Sequence, residues 1–533
     1  MYLPLPTPEE MAAWDNKSIV EYGLKPEILM ENASREAFGL IKCRLKNLSG
    51  CSALVFAGSG NNGGDAFALA RHLWNSDVKV MTLHSKLLKE YDGAAGYHLS
   101  LMLKLDIPNF HLSEYNLDFI KDVDIIVDGL LGTGFTGELR QDYVQWIKAI
   151  NNVGARSYVI SLDIPSGIDG VTGEPSPVAV RADDTVAFEE AKLGLLQPEA
   201  RDHVGCLSIK KIGIPRKIKS DSPPKNYLLD VNILDRLTVP RRTMHKGEGG
   251  HVLVLGGSQA LSGAAVLTCL GALRSGAGLV TLACPAELAG RIKGGWPEIM
   301  TLPLGEGMHW HRDMIVALQE HLSRFDAVVA GPGIGRDSST MEFLSAYLDI
   351  LHPRTLFDAD ALYFLSLEQS YLEKISQFRE VLLTPHPGEM ARFFGVTADQ
   401  INQERTRYVQ EFSFRYKINL VLKGAATLIA GSDRHFYVSP FATPNLAVGG
   451  SGDVLAGIIG SLMAQNLSTQ DAASVGVYWH GLAGKELENT YPYRGNLARE
   501  IADILPQVLA GCKGRKREDK VFFFCSKTHT TRD

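Results

Sequence analysis

The 533-residue sequence has little cysteine, no long apolar run and no excess of basic residues. None of its seven cysteines forms a CxxC pair, which argues against a zinc cluster and for a reducing environment. No apolar run approaches the roughly 18 residues that span a membrane. The first residues, MYLPLPTPEE, lack the regions typical of a signal peptide. A net charge of −6 argues against nucleic-acid binding, which needs a basic surface. We therefore expect a cytoplasmic protein that binds neither membranes nor nucleic acid.

Short apolar runs alternate with amphipathic stretches, as in a parallel sheet flanked by helices. In the first half, strands are predicted at 53–57, 78–83, 123–127 and 157–162. Helical patterns lie between them, for example at 65–76 and 139–151. In the second half, strands are predicted within 251–257, 279–284, 327–333, 381–388 and 419–424. The fold class is therefore α/β, with two doubly wound domains of three αβα layers.

The composition also predicts where the domains end. Residues 213–226 are rich in Pro, Lys and Ser, as a linker would be. We therefore expect domains at 1–215 and 226–510, joined by a linker at 216–225. The tail at 511–533 has a different, basic composition, and we expect it to be disordered.

A Gly-rich turn, GSGNNGGD at 58–65, follows the first predicted strand and opens a helix. Its glycines would let backbone N–H groups approach a phosphate at the helix N-terminus, although a tight turn also needs glycine. The turn satisfies G-x-G-x-x-G, but the second strand ends at Leu83–His84 without the acid of a dinucleotide-binding dehydrogenase. An NAD-dependent dehydrogenase is therefore disfavoured.

Two more strand ends in this half carry acids, Asp128 and Asp163. The carboxyl ends of parallel strands face the ligand crevice of such a sheet, although either acid could instead cap a helix. Together with Asn62 and Ser166, the two acids predict an oxygen-rich pocket that suits a hard cation.

Four motifs in order, LMENA, GNNGGD, VDGLLGTGFTG and SLDIPSGID, resemble the NAD(P)H-hydrate epimerase (YjeF N-terminal) family over about residues 1–215. The resemblance implies a Rossmann-like domain, with Asp163 as the acid/base near the reacting nicotinamide carbon. It implies a potassium ion held by Asn62, Asp128 and Ser166. It implies substrate contacts by Asn61, Asn62, Gly63, Gly64, Asp65, Gly132, Thr133, Gly134, Phe135, Thr136, Gly137, Glu138 and Asp163. The sequence departs from the family at Ala66, where glycine is frequent.

The second half lacks the motif G-x-x-x-x-G-K-[ST], so it is not a P-loop enzyme. Its clearest signal is VGGSGDVLAG at 448–457, where Gly449, Gly450 and Gly452 precede an apolar helix. Their N–H groups would form an anion hole for a phosphoryl group. Asp453 could accept the proton of an attacking hydroxyl, or serve only as an acid favoured by the helix dipole. The preceding glycines favour the catalytic interpretation.

The Gly-Gly-Ser-Gly-Asp loop is similar to that of the ribokinase-like superfamily. The ordered set HKGEGGHVLVLGGS, ALRSGAG, GPGIG, DADAL, TPHPGEMARF, LKGAAT and GGSGDVLAG resembles the nucleotide-dependent NAD(P)H-hydrate dehydratase family over about 226–510. The resemblance implies hydrate contacts by Ala272, Gly335, His386 and Asp453. It implies that Mg²⁺ and ADP or ATP are bound with contacts from Lys423, Gly424, Ala425, Ala426, Thr427 and Gly452. The sequence departs from the family at Tyr363, where asparagine is usual, and near Leu446.

Together the two halves resemble a bifunctional enzyme that repairs NADHX and NADPHX, the hydrated forms of NADH and NADPH. Such an enzyme would epimerise the R and S hydrates and dehydrate the S form with ADP, favoured by the family, or ATP. We also expect a homo-oligomer. The main alternative is a ribokinase-like small-molecule kinase with an N-terminal nucleotide-binding module. A first half that only binds or acts as a scaffold is less consistent with its polar pocket.

Overall fold

The computed structural model describes residues 2–115, 123–135, 137–431 and 435–512, and the backbone of 522–523. The chain forms two compact units. The first unit contains residues 4–226 together with 522–523, and the second begins at Tyr227 and includes Tyr2 and Leu3. Within the described ranges, no helix is long and apolar enough to cross a membrane.

The first unit is built on an eight-stranded sheet in the order β19-β8-β7-β6-β5-β2-β3-β4, parallel except for β19. Its strands are β2 (Ser52–Ala57), β3 (Lys79–His84), β4 (Asn109–His111), β5 (Ile125–Gly129), β6 (Tyr158–Leu162), β7 (Asp184–Phe188), β8 (Cys206–Lys210) and β19 (Phe522–Phe523). Its helices are α1 (Pro8–Val20), α2 (Pro26–Leu45), α3 (Asn61–Trp74), α4 (Gly93–Leu103), α5 (Gln141–Gly154), α6 (Arg201–Val204) and α7 (Arg216–Asp221).

Alternate side chains of β2 enter two different cores. Val55 packs in the core that contains Phe67 of α3, whereas Phe56 packs in the core that contains Trp146 of α5. This period of two follows from the pleat of a strand, and burial on both faces explains why the strand is apolar throughout. The expected αβα arrangement is confirmed for this unit.

The second unit is built on an eleven-stranded sheet in the order β1-β9-β18-β17-β16-β15-β14-β13-β10-β11-β12. Its strands are β1 (Leu3–Pro4), β9 (Asn226–Leu228), β10 (His251–Leu255), β11 (Leu279–Pro285), β12 (Met300–Leu304), β13 (Ala327–Ala330), β14 (Thr355–Phe357), β15 (Leu382–Leu383), β16 (Asn419–Leu422), β17 (Leu428–Ala430) and β18 (Phe436–Val438). The run from β12 to β16 is parallel, and β17 and β18 continue it antiparallel.

Twelve helices accompany this sheet in the described chain. They are α8 (Ser262–Arg274), α9 (Ala286–Lys293), α10 (Met314–Leu322), α11 (Ser338–Tyr347), α12 (Asp360–Leu365), α13 (Gln369–Ile375), α14 (Pro387–Phe394), α15 (Ala398–Gln403), α16 (Arg405–Tyr416), α17 (Ser451–Ala464), α18 (Thr469–Leu487) and α19 (Ala498–Cys512). Helices α8 and α17 approach so closely that a Cβ on Gly457 would lie 2.0 Å from the Thr268 carbonyl oxygen. The small residues of α8 therefore serve helix packing.

The stretch expected to be a linker differs from that expectation. Residues 216–221 form α7, whose Ile218 is buried in the core of the first unit. Lys219 of the same helix contacts the buried carboxylates of Glu189 and Glu190. The charged composition of this segment suggested a solvent-exposed linker. The composition does not reveal that Lys219 is paired with buried carboxylates. The contact boundary between the units falls after residue 226.

Part of the predicted tail also has regular structure. Gly511 and Cys512 end α19, and Phe522–Phe523 pair antiparallel with β8. The short strand satisfies backbone groups on the edge of the sheet. The remaining tail residues lie outside the described part of the chain.

Candidate active sites

The Gly-rich turn of the first unit is shaped by close backbone approaches. A Cβ on Gly58 would lie 1.7 Å from the Leu130 carbonyl oxygen, and one on Gly63 would lie 1.9 Å from the Gly58 carbonyl oxygen. These glycines are therefore sterically required. The turn starts α3 at Asn61 and places Asn61 and Asn62 at the carboxyl end of β2.

Most of the site residues predicted for the first unit surround one cavity of about 580 Å³. Such a volume is within the usual range for a small-molecule site. The predicted residues that line it are Asn61, Asn62, Asp65, Gly132, Thr133, Gly134, Phe135 and Asp163. Gly63 and Gly64 are buried in the first turn of α3. Gly137 and Glu138 line a different cavity, with Lys148 and Asp169, and Thr136 lies outside the described residues.

Asp163 is fixed where β6 ends. Its φ of +63° is unusual for a residue other than glycine. Its backbone N–H donates to the Val186 carbonyl oxygen at 2.8 Å, and its Oδ1 accepts from the Phe188 N–H at 3.1 Å. The same oxygen forms a short contact with the ammonium group of Lys192. These contacts, two of them to β7, hold the carboxylate at the cavity wall.

Two residues of this site were not found from the sequence, Asp15 and Lys192, and both line the cavity. The Lys192 side chain is 1% exposed, and its Nζ also donates to the Phe188 carbonyl oxygen at 3.0 Å. Lys192 follows β7, which the sequence analysis did not identify as a strand; recognising that strand would have marked Lys192. Asp15 lies within α1, far along the chain from any strand end, so no local signal marks it.

Burial changes the proton affinity of the carboxyls beside Lys192. Burial raises the pKa of Asp15 to about 6, and the charge of Lys192 opposes this rise. Burial, and then the neighbouring Asp163 and Asp15 carboxylates, raise the pKa of Asp65 well above its ordinary value. Asp65 and Asp15 therefore hold their protons to a higher pH than exposed carboxyls do.

The three predicted potassium ligands are connected by hydrogen bonds through the backbone of Leu131. Buried Asp128 accepts from Ser161 Oγ at 2.8 Å, and from the Ser166 N–H at 2.8 Å and Oγ at 2.5 Å. Asn62 Nδ2 donates to the Leu131 carbonyl oxygen at 2.8 Å, whereas the buried Asn62 Oδ1 has no hydrogen-bond partner. An orphaned buried carbonyl oxygen beside a hydroxyl and a carboxylate fits a hard cation. No group of three or more His, Cys, Asp or Glu residues in the described ranges could hold a metal ion.

In the second unit, a partly buried lysine, Lys423, lies next to the second Gly-rich turn. Gly450, with φ +91°, caps α17, and a Cβ on Gly452 would lie 3.3 Å from Lys423 Nζ. Lys423 Nζ lies 2.6 Å from Asp358 Oδ1 and 3.8 Å from Glu389 Oε2. The turn, Lys423 and these two carboxyls form one site at the carboxyl ends of the parallel strands.

Asp453 lies in the first turn of α17, as predicted. Burial, followed by the carboxylate of Asp358, raises its pKa to about 7 against the opposing charge of Lys423. Burial also raises the pKa of Glu389 to about 7, again opposed by Lys423. A carboxyl that titrates near neutral pH is well suited to general acid–base catalysis.

His386 follows β15 and Gly335 follows β13, and β14 lies between these two strands in the sheet. His386 caps α14: its Nδ1 accepts from the N–H groups of Gly388 and Glu389, at 3.0 and 3.3 Å. Its Nε2 therefore carries the ring proton, and the side chain is 56% exposed. The Gly335 N–H donates to Asp360 Oδ2 at 3.1 Å. Ala272 is fully buried where α8 packs on α17, so this packing does not expose it to a ligand.

The predicted nucleotide segment 423–427 is held from below by Arg405. The guanidinium of this buried residue donates to the carbonyl oxygens of Leu422 and Lys423, each at 3.3 Å. A Cβ on Gly424, with φ +134°, would lie 2.9 Å from Arg405 Nη1. Thr427 Oγ1 donates to the Gly424 carbonyl oxygen at 2.9 Å, and Ala425 is exposed whereas Ala426 is buried. The segment is thus an ordered turn with one exposed edge.

His480 is a further residue of the second site that the sequence did not reveal. Its Nε2 lies 3.2 Å from Ser451 Oγ and 3.1 Å from the Ser451 carbonyl oxygen. Burial lowers the pKa of His480 to about 4, so the ring is neutral at physiological pH. A neutral imidazole fixed below Ser451 supports the turn without adding charge.

Two family matches and a set of relatives account for both sites. Residues 26–194 match the family described as YjeF-related protein N-terminus, and residues 252–507 match the family described as NAD(P)H-hydrate dehydratase. The bifunctional NAD(P)H-hydrate repair enzyme Nnr of Dictyoglomus turgidum is 35% identical over 510 residues, which are 95% of this chain and 98% of that protein. This chain belongs to the bifunctional NAD(P)H-hydrate repair enzyme family.

A further relative and a solved structure are also similar to this chain. The bifunctional NAD(P)H-hydrate repair enzyme Nnr of Moorella thermoacetica is 35% identical and covers 96% of this chain and 97% of its own. Among solved structures, the ADP/ATP-dependent NAD(P)H-hydrate dehydratase of Bacillus subtilis, co-crystallized with ATP/Mg²⁺, is 27% identical with a TM-score of 0.43. The match covers 52% of this chain and 96% of the Bacillus subtilis chain. The family resemblance deduced from the motifs is confirmed by the relatives.

The three departures from the family motifs have different surroundings. Ala66 is fully buried, and an ideal Cβ on Gly129 would lie 2.7 Å from its methyl group, so the glycine makes room for the alanine. Leu446 lies where a Cβ on Gly484 would approach it to 2.5 Å, so it packs against α18. The ring of Tyr363 lies under two arginine side chains. Of the three, Tyr363 alone has charged partners.

Proposed function

We propose that the first unit interconverts the R and S hydrates of NADH and NADPH through Asp163. We propose that the second unit dehydrates the S hydrate with ADP or ATP through Asp453. The observation that carries the proposal is shared by both units. Each has a carboxyl proposed to be catalytic near a lysine: Lys192 contacts Asp163, and the charge of Lys423 acts on Asp453.

In the first unit, the wall of the cavity supplies the proton chemistry. Asp163, held by Lys192 and the Phe188 N–H, would exchange a proton with the hydrate beside the reacting ring carbon. Asp65, whose pKa is raised by burial, would form a hydrogen bond with the substrate. Asn62, Asp128 and Ser166 would hold a potassium ion, whose charge would attract the phosphate oxygens of the dinucleotide.

In the second unit, the hydroxyl on C6 of the nicotinamide ring would become a better leaving group. Asp453 would take the hydroxyl proton while the oxygen attacks the terminal phosphorus of ADP or ATP, which releases AMP or ADP. The N–H groups of Gly449, Gly450 and Gly452 would stabilise the charge on the transferring phosphoryl group. Phosphate then leaves C6, a proton leaves the neighbouring ring carbon, and NADH or NADPH forms. Mg²⁺ would enter bound to the nucleotide.

In the deciding experiment, the enzyme is incubated with mixed hydrate epimers and ADP or ATP, and the return of NADH absorbance is measured. We expect Asp453→Asn to abolish this return while epimer exchange continues. We expect Asp163→Asn to abolish exchange while the S hydrate is still dehydrated. Release of inorganic phosphate distinguishes the dehydratase from the alternative kinase, which would release a phosphorylated product. If both variants kept both reactions, the assignment of the two sites would be wrong.

The cofactor of the first unit needs a separate test. We expect epimerisation to depend on potassium and to fall when tetramethylammonium replaces it at equal ionic strength. Dehydration of the pure S hydrate in the same buffers is the internal control, because its residues lie in the other unit. Equal epimerisation in both buffers would remove the potassium proposal. The homo-oligomer, the cytoplasmic location and the preference for ADP stay predictions.

A further inference from the structure

Tyr363 lies beneath two guanidinium groups. The guanidinium carbon of Arg336 lies 4.7 Å from the centre of the Tyr363 ring, and that of Arg392 lies 5.1 Å from it. Tyr363 belongs to α12, Arg392 to α14, and Arg336 to the loop after β13. Three segments of the second unit therefore bring two positive charges to one aromatic ring. This ring, Tyr363, stands at the position where the family motif usually has asparagine.

The two arginines differ in their carboxylate partners. Arg336 Nε lies 2.6 Å from Asp360 Oδ1, and Asp360 Oδ2 accepts from the Gly335 N–H. The same carboxylate thus orients both Gly335 and Arg336. Arg392 is exposed, and no described carboxylate lies within ion-pair distance of it. The pair therefore carries more positive charge than the protein itself neutralises.

This arginine pair borders the predicted hydrate contacts. Arg336 follows Gly335 in the chain, and Arg392 belongs to the helix that His386 caps. The charges of Arg392 and Arg336 both contribute to lowering the pKa of His386, although burial is the larger cause. Gly335, His386 and the two guanidinium groups thus face one region of the site.

A guanidinium stacked on an aromatic ring keeps its N–H groups available at its edge. The ring fixes the plane of the group, and the N–H fork can then bind a phosphate through two parallel hydrogen bonds. Lysine could not replace it, since an ammonium group has no such planar fork. An uncompensated, oriented arginine pair beside a dinucleotide site suits a phosphate of that dinucleotide.

We propose that Arg336 and Arg392, supported by Tyr363, form a subsite that binds a phosphate group of the hydrated dinucleotide in the dehydratase unit. The proposal rests on the proposed function of this unit. Two phosphate sources share this chemistry: the pyrophosphate present in both hydrates, and the additional phosphate present in NADPHX but absent from NADHX.

The test measures kcat and KM for S-NADHX and S-NADPHX at saturating ADP, in the full-length enzyme. We expect Arg392→Gln to raise KM about tenfold with kcat changed less than about twofold, because a charge-assisted contact with the substrate is lost while Asp453 is retained. Tyr363→Asn should also raise KM, whereas Tyr363→Phe, which keeps the ring, should resemble the wild type. The matched control is Arg415→Gln, whose guanidinium lies 5.1 Å from the Tyr416 ring.

Each result has a defined meaning. A higher KM for both hydrates supports the subsite and assigns it to the pyrophosphate, and a higher KM for S-NADPHX alone supports it and assigns it to the additional phosphate. An unchanged KM for both hydrates, or a change in the KM for ADP alone, overturns the proposal. These outcomes require an active wild type, so a wild type without nucleotide-dependent dehydration would instead contradict the proposed function.

Discussion

Lys423 Nζ lies 2.6 Å from the carboxylate of Asp358, directly below the turn that begins α17. In the first unit, Lys192 makes the corresponding contact with Asp163. Lys192 is buried and Lys423 is partly buried, each near several carboxyls, where an unpaired charge would be costly. Burial raises the pKa of carboxyls in both sites: Asp15 and Asp65 in the first unit, and Glu389 and Asp453 in the second.

Nucleotide-dependent dehydration should increase as the pH rises through about 7. Burial raises the pKa of Asp453 to about this value, and the carboxyl accepts a proton only when it is ionised. The measurement is kcat for the pure S hydrate between roughly pH 5.5 and 8.5, with Asp453→Asn expected to lose 10²-fold or more, as for a missing general base. Asp503→Asn, a surface control in the same unit, should keep the wild-type profile. A flat wild-type profile would contradict the role of Asp453.

The same carboxyl should reduce stability at alkaline pH. Its pKa is higher in the folded protein than its ordinary 3.8, so its contribution is present below that value and is lost as the pH rises through about 7. Above pH 7, Asp453→Asn should therefore unfold with a higher free energy than the wild type, by at most about 4 kcal/mol. Denaturant titrations at pH 6 and pH 8 measure the difference. A difference that does not grow with pH would exclude this linkage.

His480 should make the second unit sensitive to acid. Its folded pKa of about 4 lies below the ordinary 6.5. Its contribution is therefore complete above pH 6.5 and is lost as the pH falls toward 4. Over this interval the wild type should lose up to about 3 kcal/mol more unfolding free energy than His480→Gln. Exposed His311 provides the control His311→Gln, which should follow the wild type. If the unfolding free energies of the wild type and His480→Gln fell equally over this pH interval, the prediction would be wrong.

Removing Lys192 should slow epimerisation strongly without affecting dehydration. Lys192→Gln leaves the Asp163, Asp65 and Asp15 carboxyls without their cationic neighbour, so we expect about a 10²-fold slower exchange. Lys217→Gln removes an exposed lysine of the same unit and should leave both rates unchanged. The measurement is epimer exchange by NMR beside dehydration of the S hydrate. Normal exchange in Lys192→Gln would refute a role for this lysine.

Two glycines of the first Gly-rich turn should respond differently to alanine. A Cβ at position 63 would lie 1.9 Å from a backbone oxygen, whereas one at position 60 would meet nothing within 4 Å. Gly63→Ala should destabilise the first unit by about 1–3 kcal/mol or more, as overpacking does, and reduce epimerisation. Gly60→Ala is the matched control and should stay near the wild type in thermal unfolding. Equal stability of both variants would contradict the close approach.

Local sequence patterns were sufficient where a residue stands at the carboxyl end of a recognisable strand. Asn62, Asp128, Asp163 and Ser166 follow strands or Gly-rich turns, and the sheet brings them together because parallel strands end at one edge. Asp453 was found from the Gly-rich turn before its helix. Gly137 and Glu138, which the family resemblance implied, line a different cavity from most of the other residues predicted for that site.

The sequence by itself determined the family, the two α/β folds and the turns, since each depends on short-range periodicity and on glycine at fixed positions. Only the tertiary structure revealed Asp15 and Lys192 around Asp163, His480 below Ser451, and the two arginines on Tyr363. Those contacts join segments distant in the chain, and their energies depend on burial and on neighbouring charge. Neither quantity exists until the sheet and its helices are assembled.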